Sequence, residues 1–296
     1  MKQRAFIFVI LAGVLWGTSG IFVHYLSPYG FSSIQMSAIR GGVSFFILLA
    51  YALVRDRSLF RVSGTELLLF ALNGLALFGT ASCYFFSMQA TSISTAVVLM
   101  YMAPIYVTAF SVLFLGERFS KAKAVSVACM LAGCALVSGI VGGLKLDAFG
   151  IIMGILSGVS YGTYNIVTKI SMKKGTRPLS STVYTFLFMF LISFFLSDPP
   201  ALFECAAKEP AVTVPLMLGI GIFTFIMPYV LYTIALKELP AGTASALSIV
   251  EPMSATLFGI VLFAEPVSFF SVSGILLILF AVFLLGKSED KADKQD

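Results

Sequence analysis

The sequence predicts an all-α integral membrane protein with ten transmembrane helices, built as two inverted five-helix repeats. Of its 296 residues, 59% are hydrophobic and 11% are charged, and the mean hydropathy is +1.00. A water-soluble domain of this length would need more charge on its surface. Apolar stretches of about 20 residues, the length that crosses a hydrocarbon core of roughly 30 Å, fill most of the chain. The two halves of the chain also resemble each other in sequence.

The hydrophobic stretches and the residues that interrupt them place ten spans in order. They lie at residues 5–26, 33–54, 67–88, 94–115, 122–141, 147–168, 180–197, 214–236, 242–263 and 268–286. When the connections are assigned alternately to two sides, sixteen Lys and Arg residues fall on one side and only Lys145 and Lys208 on the other. Because cytoplasmic loops retain positive charge, both termini are predicted to be cytoplasmic. Adding or removing one span would destroy this asymmetry.

The repeat is visible when the sequence is compared with itself. Residues 10–21 (ILAGVLWGTSGI) align with residues 155–166 (ILSGVSYGTYNI) at an offset of 145. At an offset of 148, six residues recur: Thr95, Ala96, Leu99, Pro104, Glu117 and Ser120 match Thr243, Ala244, Leu247, Pro252, Glu265 and Ser268. The repeats are therefore predicted at residues 1–145 and 146–287. The polar tail at 288–296 is predicted to be disordered and cytoplasmic.

Each half contains five spans, an odd number, so the second half must enter the membrane from the side opposite to the first. Two antiparallel bundles of this kind can exchange conformations about an axis in the membrane midplane. A central site then opens to one side and afterwards to the other. The repeat favours transport for this reason, with common ancestry alone as the alternative explanation.

Composition and motifs argue against several other functions. The 19 Lys and Arg residues give a net charge of +5, but they form no basic face with stacking aromatics, so nucleic acid is not a predicted partner. The four cysteines have no disulfide or metal-binding spacing, and neither a metal ion nor a cofactor is predicted. The sequence contains no GxxxxGK[ST] phosphate loop and no HExxH or GxSxG motif. The protein is therefore not predicted to be an ATPase or another enzyme.

Short motifs occur in a fixed order along the two halves. They are Leu15-Trp16-Gly17, Ala38-Ile39-Arg40, Pro104 with Leu115-Gly116-Glu117, and Glu251-Pro252 with Glu265. In this order and spacing the chain resembles the EamA group of the drug/metabolite transporter superfamily over essentially its whole length. Ala264 and Tyr161 depart from the family pattern, which usually has Gly and often has Trp at these positions. The resemblance implies a ten-helix carrier with a central cavity, usually exporting amino acids or other metabolites and often driven by proton or substrate gradients.

Two charged residues lie inside predicted spans. Glu251 lies about nine residues into the ninth span, roughly 13 Å deep at 1.5 Å per residue, and Arg40 lies in the second span. A charge at such a depth costs about 2.5–3.5 kcal/mol. An apolar environment favours the neutral carboxyl group, so Glu251 either exchanges protons and couples transport to a gradient or accepts hydrogen bonds that hold the fold. Arg40 has three interpretations: binding a substrate carboxylate, pairing with Glu251, or contacting helix carbonyls.

Polar and aromatic side chains recur at helical spacing in several spans, which indicates faces that avoid lipid. They predict a central cavity suited to an amphipathic or zwitterionic solute, with hydrogen bonding between helices as the alternative role of each residue. The candidate substrate-binding residues are Trp16, Arg40, Asn73, Tyr84, Tyr101, Tyr161, Asn165, Tyr232 and Ser248.

Small residues and prolines also have a regular placement. Glycines repeat every four residues in the sixth span and, as a shorter pair, in the first: Gly150, Gly154, Gly158 and Gly162, and Gly13 and Gly17. This spacing lets helices approach closely, so packing is predicted. Pro104 and Pro252 lie at equivalent positions within spans and should kink their helices. They are either paired hinges of alternating access or static kinks.

Three charged residues near helix ends have more local interpretations. Glu117 and Glu265 are predicted to cap helices or to connect the halves. Lys169 is interpreted as a topology signal together with the basic residues that follow it, with attraction of anions as the alternative.

These features predict a secondary transporter of small metabolites, amino acids or related compounds, with export as the expected direction and alternating access around a central cavity as the mechanism. A passive channel or a lipid translocator is the alternative, and a membrane-embedded transferase is less favoured. The expected partners are a small-molecule substrate, the lipid bilayer and protons. The expected location is the bacterial cytoplasmic membrane, where the chain would be a monomer or a homodimer.

Overall fold

The computed structural model describes residues 2–117, 120–138, 147–264 and 266–293. Arg118, Lys145, Glu265 and Lys294, which enter the predictions above, lie outside these ranges. The described chain forms fifteen α-helices, with 3₁₀ turns at Ser27–Tyr29 and Arg57–Phe60 and a π-helical segment at Ile222–Ile226. The α-helices are α1 (Lys2–Gly17), α2 (Ser19–Leu26), α3 (Ser33–Arg55), α4 (Gly64–Ala90), α5 (Ile93–Met100), α6 (Ala103–Phe114), α7 (Lys121–Val137), α8 (Ala148–Lys173), α9 (Pro178–Leu196), α10 (Pro199–Ala207), α11 (Pro210–Gly221), α12 (Met227–Glu238), α13 (Ala241–Leu247), α14 (Val250–Phe263) and α15 (Phe269–Asp293).

Nine helical segments within the described residues are long and apolar enough to cross a membrane. Each coincides with one predicted span. The remaining prediction, at residues 122–141, coincides with α7, which has 17 residues and is about 25 Å long at 1.5 Å per residue. The predicted all-α membrane fold is confirmed, with nine long spans and one shorter helix.

The last helix is longer than the sequence predicted. α15 continues to Asp293, into the polar segment that was predicted to be disordered from residue 288. Extending an existing helix adds a hydrogen bond for each residue without forming a new nucleus, so a polar sequence can continue a helix that begins in the membrane. Residues 294–296 lie outside the described ranges.

The first helix of each half packs against the fourth span of the other half. A β-carbon built on Gly17 of α1 would lie 2.8 Å from Ser254 Cβ in α14, and one built on Gly158 of α8 would lie 2.8 Å from the carbonyl oxygen of Leu99 in α5. Only glycine allows helices to approach this closely. The predicted packing role of the glycine faces is confirmed, although Gly162 has ordinary contacts, the nearest at 3.4 Å. The two halves are therefore interlocked.

Two charged side chains satisfy backbone groups at helix ends. Glu117 accepts hydrogen bonds from the N–H groups of Ala241 (2.6 Å) and Gly242 (3.4 Å) at the start of α13. It therefore caps a helix and connects the halves, as predicted. Lys169 is buried and donates to the carbonyl oxygens of Leu236 (2.7 Å) and Leu239 (2.6 Å) at the end of α12. The terminal carbonyls of α12 therefore hold this ammonium inside the protein, a contact that the sequence did not predict, and the role of Lys169 as a topology signal stays a prediction.

Polar contacts also join the loops of the two halves. Arg177 forms an ion pair with Asp56 and a hydrogen bond with Ser58. The hydrogen bonds from Arg177 and Ser58 lower the pKa of Asp56 to about 2. The contribution of Asp56 to stability is thus present above about pH 4 and is lost as the pH falls toward 2.

At the other end of the bundle, a second polar contact joins the loops of the two halves. The Tyr29 hydroxyl donates to Glu209 Oε2 at 2.7 Å.

Candidate functional site

Two spans are interrupted at equivalent positions. The fourth span breaks between α5 and α6 at residues 101–102, and the ninth breaks between α13 and α14 at residues 248–249. Since each half supplies one interrupted span and each of these packs against the first helix of the other half, the two breaks have related surroundings. Interrupted helices expose backbone groups inside the membrane only where protein or a cavity surrounds them.

Each interruption is followed by one of the predicted prolines. Pro104 lies in the first turn of α6 and Pro252 in the first turn of α14. Proline has no N–H group, so it cannot donate to the carbonyl of the preceding turn. Tight i-to-i+3 hydrogen bonds cross both breaks, from Met102 N to Leu99 O at 3.3 Å and from Glu251 N to Ser248 O at 2.9 Å. At the two predicted kinks the regular α-helical hydrogen bonding is therefore interrupted for about one turn, while the chain keeps its direction through the span.

Glu251 breaks the symmetry between these two regions. It lies in the first turn of α14, where the first half has Ala103 at the offset of 148. Its side chain is partly accessible and interacts electrostatically with Arg40, Tyr101 and Tyr161. The Tyr101 hydroxyl is buried beside Glu251 but makes no hydrogen bond of ordinary geometry within the described structure. No fixed partner among the described residues neutralises this carboxylate.

Arg40, on α3, faces the same region. Its guanidinium carbon lies 5.8 Å from the centroid of the Phe225 ring, within cation–π range. Its Nε is buried without a hydrogen-bond partner among the described residues, and the side chain is otherwise partly accessible. In the described part of the chain, Arg40 forms neither a direct ion pair with Glu251 nor a hydrogen bond to a helix carbonyl. The interaction with Glu251 is electrostatic, without a direct ion pair, and the binding of a substrate carboxylate by Arg40 stays a prediction.

An aromatic cluster closes the region between these charges. Trp16 contacts Tyr229 with ring centroids 5.1 Å apart and Tyr232 at 5.3 Å, and Tyr164 contacts Tyr229 at 5.4 Å. All four rings are buried. Several of the predicted cavity residues are thus brought together, and in this conformation their rings pack against one another in a polar centre. This polar centre consists of seven residues: Trp16, Arg40, Tyr101, Tyr161, Tyr229, Tyr232 and Glu251.

Hydrogen bonds connect part of this polar centre to its surroundings. The Tyr232 hydroxyl donates to Asn165 Oδ1, and Asn165 Nδ2 donates to the Tyr161 carbonyl oxygen at 2.6 Å. Ser248 Oγ donates to the Ser245 carbonyl oxygen at 2.7 Å, within the helix that precedes the break. Asn165 therefore orients Tyr232, whereas the hydrogen bond of Ser248 stays within its own helix.

Several buried polar groups in the polar centre have no partner among the described residues. They are Trp16 Nε1, Arg40 Nε, Tyr101 Oη and Tyr161 Oη. Leaving a buried donor unpaired costs about 1–3 kcal/mol, so such groups need an explanation. Their concentration around one carboxylate and one guanidinium makes the polar centre the candidate functional site.

The remaining candidate residues differ in their placement. Tyr84, on α4, is partly buried and interacts electrostatically with Glu251, so it lies at the edge of the polar centre. Asn73 instead donates through Nδ2 to Thr168 Oγ1 at 3.0 Å. This bond joins α4 to α8, and the residue serves helix packing at this position. The alternative role of hydrogen bonding between helices is the one the structure shows for Asn73.

Tyr229 is the residue of the polar centre that sequence reasoning missed. It follows the π-helical segment and Pro228 in the eighth span. The available signal was Pro228 itself, because a proline within a span disturbs the hydrogen-bond ladder, and π-helical turns occur frequently at functional sites. The π segment also carries Phe225, the ring that faces Arg40.

The polar centre combines opposite charges, aromatic rings and unpaired donors within a membrane. Arg40 can bind a carboxylate, Glu251 can bind an ammonium group or a proton, and the rings can contact an apolar side chain. Among the described residues there is no cluster of His, Cys, Asp and Glu that could hold a metal ion.

Both halves of the chain match a known protein family. Residues 3–139 and 148–287 each match the EamA-like transporter family. An uncharacterized transporter of Archaeoglobus fulgidus is 29% identical over 93% of this chain and 94% of its own. The uncharacterized transporter YwfM of Bacillus subtilis is 27% identical over 96% and 94%. Solute carrier family 35 member G1 of Mus musculus is 21% identical over 92% and 75%.

A solved crystal structure shares the fold. It superposes with a TM-score of 0.80 and covers 96% of each chain, at 18% sequence identity. At this identity the likeness concerns the fold alone. The match of each half to the same family agrees with the repeat found in the sequence.

Proposed function

Because the chain belongs to the EamA-like transporter family and is a multi-pass membrane transporter, we propose that it is a secondary carrier of amino acids or related small metabolites. It works by alternating access to the polar centre, and its net direction is export. The observation that carries this proposal is the pair of Arg40 and Glu251. These opposite charges lie in one buried region, and neither has a direct ionic partner among the described residues.

The chemistry of the pair matches a zwitterion. A carboxylate of the substrate would bind Arg40, whose guanidinium offers several donors in a plane, and an ammonium group would bind Glu251. The buried donors of Trp16, Tyr101 and Tyr161 would then find acceptors or waters. Burial of one unpaired charge is costly in a membrane, so a solute that carries both charges satisfies both residues at once.

Proton coupling is the second part of the proposal. Glu251 is a carboxylate without a fixed partner beside several hydroxyl groups, and it stands in the one half that carries an acid at this position. Binding of a proton or of a cationic substrate group at the same carboxylate would be mutually exclusive. Competition of this kind links the two fluxes. The chain would act in the bacterial cytoplasmic membrane with both termini in the cytoplasm, as a monomer or homodimer.

Transport in proteoliposomes tests the proposal directly. A panel of labelled amino acids would be offered to purified wild-type protein, and we expect saturable uptake that is accelerated by unlabelled substrate inside. Such counterflow requires a carrier, whereas a channel shows no acceleration. A lipid translocator would move labelled lipid between leaflets and leave the amino acids outside. Absence of counterflow for every amino acid would contradict the proposed substrate class.

The two interruptions are proposed to be the hinges of this carrier. Replacing both prolines, Pro104→Ala and Pro252→Ala, restores N–H donors and favours continuous helices, each by up to about 3 kcal/mol. We expect turnover to fall about tenfold or more, because 1.4 kcal/mol of added barrier is a factor of ten. Initial rates of counterflow measure this. The matched control is Pro215→Ala, which changes a proline inside α11 with an exposed side chain and should leave turnover unchanged. If the double variant also keeps its turnover, the two breaks are static kinks and not hinges.

A further inference from the structure

A groove on the outside of the bundle lies between α6 and α7, apart from the polar centre. These helices are consecutive in the chain but diverge: α6 packs against α13 and α8, and α7 packs against α15. The gap between them has a volume of about 530 Å³. It is lined by Ile105, Thr108, Ala109, Val112, Leu113, Lys123, Ala124, Val127, Ala128 and Leu131. Because Ile105 and Leu113 are exposed, the groove opens toward the hydrocarbon of the bilayer.

Two polar groups interrupt this apolar lining. A β-carbon built on Gly242, in α13 beneath the groove, would lie 2.6 Å from Thr108 Oγ1 and 3.2 Å from Lys123 Nζ. The two groups therefore converge on one point. Thr108 Oγ1 is buried with no hydrogen-bond partner among the described residues. The hydroxyl lies just beneath the surface of the groove and has an unmet hydrogen bond, which a polar group that enters the groove beside Lys123 would satisfy.

Lys123 is the charged group of the groove. Its side chain is 3% exposed, and its Nζ lies 3.8 Å from Glu117 Oε2. Glu117 also accepts the backbone N–H groups of Ala241 and Gly242, so its charge is shared among several donors. A lysine ammonium has three N–H donors, and one long contact to a carboxylate leaves donors for an anion.

The length of the groove matches one leaflet of a membrane. Its lining runs from Lys123 to Leu131 on α7 and from Leu113 to Ile105 on α6. Eight residues of helix correspond to about 12 Å, close to half of a hydrocarbon core of roughly 30 Å. Lys123 stands near the end of α7 where Lys121 also lies, on the side with the positive charges. Basic pockets between transmembrane helices on this side bind anionic head groups.

We propose that the groove between α6 and α7 binds an anionic phospholipid of the inner leaflet. The phosphate lies near Lys123 and Thr108, and one acyl chain occupies the apolar part of the groove. The groove adjoins Gly242, at the start of the helix that leads to the interruption before Glu251. All residues that line the groove belong to the first half, and Gly242 of the second half lies behind Thr108 and Lys123.

Photo-crosslinking tests this proposal. The full-length protein in bilayers of equal parts phosphatidylglycerol and phosphatidylcholine receives a trace of either lipid with a diazirine in its acyl chain, and labelled residues are mapped by mass spectrometry. We expect the anionic lipid to label α6 and α7 about fivefold more than the zwitterionic one, the ratio that one basic side chain near an anionic head group supplies. Glycerol 3-phosphate, which lacks acyl chains, should not compete.

Variants and an internal control sharpen the result. Lys123→Met should reduce anionic labelling to the level of the zwitterionic lipid, and Ala109→Phe, which leaves the lysine intact, should abolish labelling by both lipids in the groove. A second groove of about 340 Å³, lined by Leu48, Tyr51, Leu179, Ile226, Met227, Val230 and Leu231, has no basic residue and should be labelled equally by both. Equal labelling of α6 and α7 by both lipids, or a preference that survives Ala109→Phe, would overturn the proposal.

Discussion

Replacing Glu251 by Gln is expected to remove the response of transport to a pH gradient and to raise the substrate concentration that gives half-maximal exchange, because Gln keeps the shape of the side chain but not the charge that would bind an ammonium group. For coupling to one proton, a gradient of one pH unit supplies about 1.4 kcal/mol and accumulates substrate about tenfold. Gln cannot release or bind a proton in this range, so Glu251→Gln should accumulate none above equilibrium. Uptake with and without the gradient, in both directions, measures this, and the sign that drives uptake distinguishes symport from antiport.

The control for this experiment is an acid outside the polar centre. Glu238 is exposed at the end of α12, so Glu238→Gln should respond to the gradient like the wild type. Counterflow measured on the same preparations shows whether each variant is folded and active. If Glu251→Gln still accumulates substrate with the gradient, Glu251 has a structural role and the proton is carried elsewhere. If wild-type counterflow occurs but no gradient of either sign drives accumulation, the carrier is an exchanger or uniporter.

Replacing Gly158 by Ala is expected to lower the stability of the whole bundle. The added methyl group would lie 2.8 Å from the carbonyl oxygen of Leu99 and 3.1 Å from that of Met100. These backbone atoms belong to the interrupted fourth span and cannot turn aside as a flexible side chain would. Overpacking of this kind costs about 1–3 kcal/mol, which corresponds to a thermal midpoint lower by about 2–10 °C.

The matched control is the same substitution at Gly20 in α2. A β-carbon there would have nothing within 4 Å, and Ala favours a helix over Gly by about 1 kcal/mol. Gly20→Ala should therefore leave the midpoint unchanged or raise it. Thermal unfolding can be followed by the fluorescence of Trp16, the single tryptophan of the chain, which is buried. A Gly158→Ala protein as stable as Gly20→Ala would show that α8 and α5 separate without cost.

The tight contact at Gly158 also links packing to the site. Leu99 and Met100 immediately precede the break at Tyr101, whose hydroxyl is buried beside Glu251. A shift of α8 relative to α5 would therefore displace Tyr101 and Tyr161, which lies one turn beyond Gly158 on α8. We expect Gly158→Ala to impair counterflow more than its loss of stability alone explains.

Much of the fold could be predicted because hydropathy is a local property. The free energy of moving a segment into lipid is nearly the sum of its residues, so nine of the described spans coincide with apolar stretches read from the sequence. The repeat, the inversion that follows from an odd number of spans, and the charges of Arg40 and Glu251 can also be read from the order of residues along the chain. Pro104 and Pro252 marked the interruptions because the missing N–H group acts within one helical turn.

The tertiary structure decided which of these local features meet. The Tyr232 hydroxyl donates to Asn165, 67 positions away in the chain. Lys169 is buried because the carbonyls at the end of α12 accept its hydrogen bonds. Asn73 donates to Thr168 on another helix. Tyr229 joins the polar centre through a π-helical turn, and α6 and α7 diverge although they are neighbours in sequence. Residue composition determined that the chain lies in the membrane and where it crosses. The tertiary structure determined which side chains face one another, because this depends on how the helices cross and how closely distant residues pack. The transfer energy of each segment into lipid contains no information about these contacts.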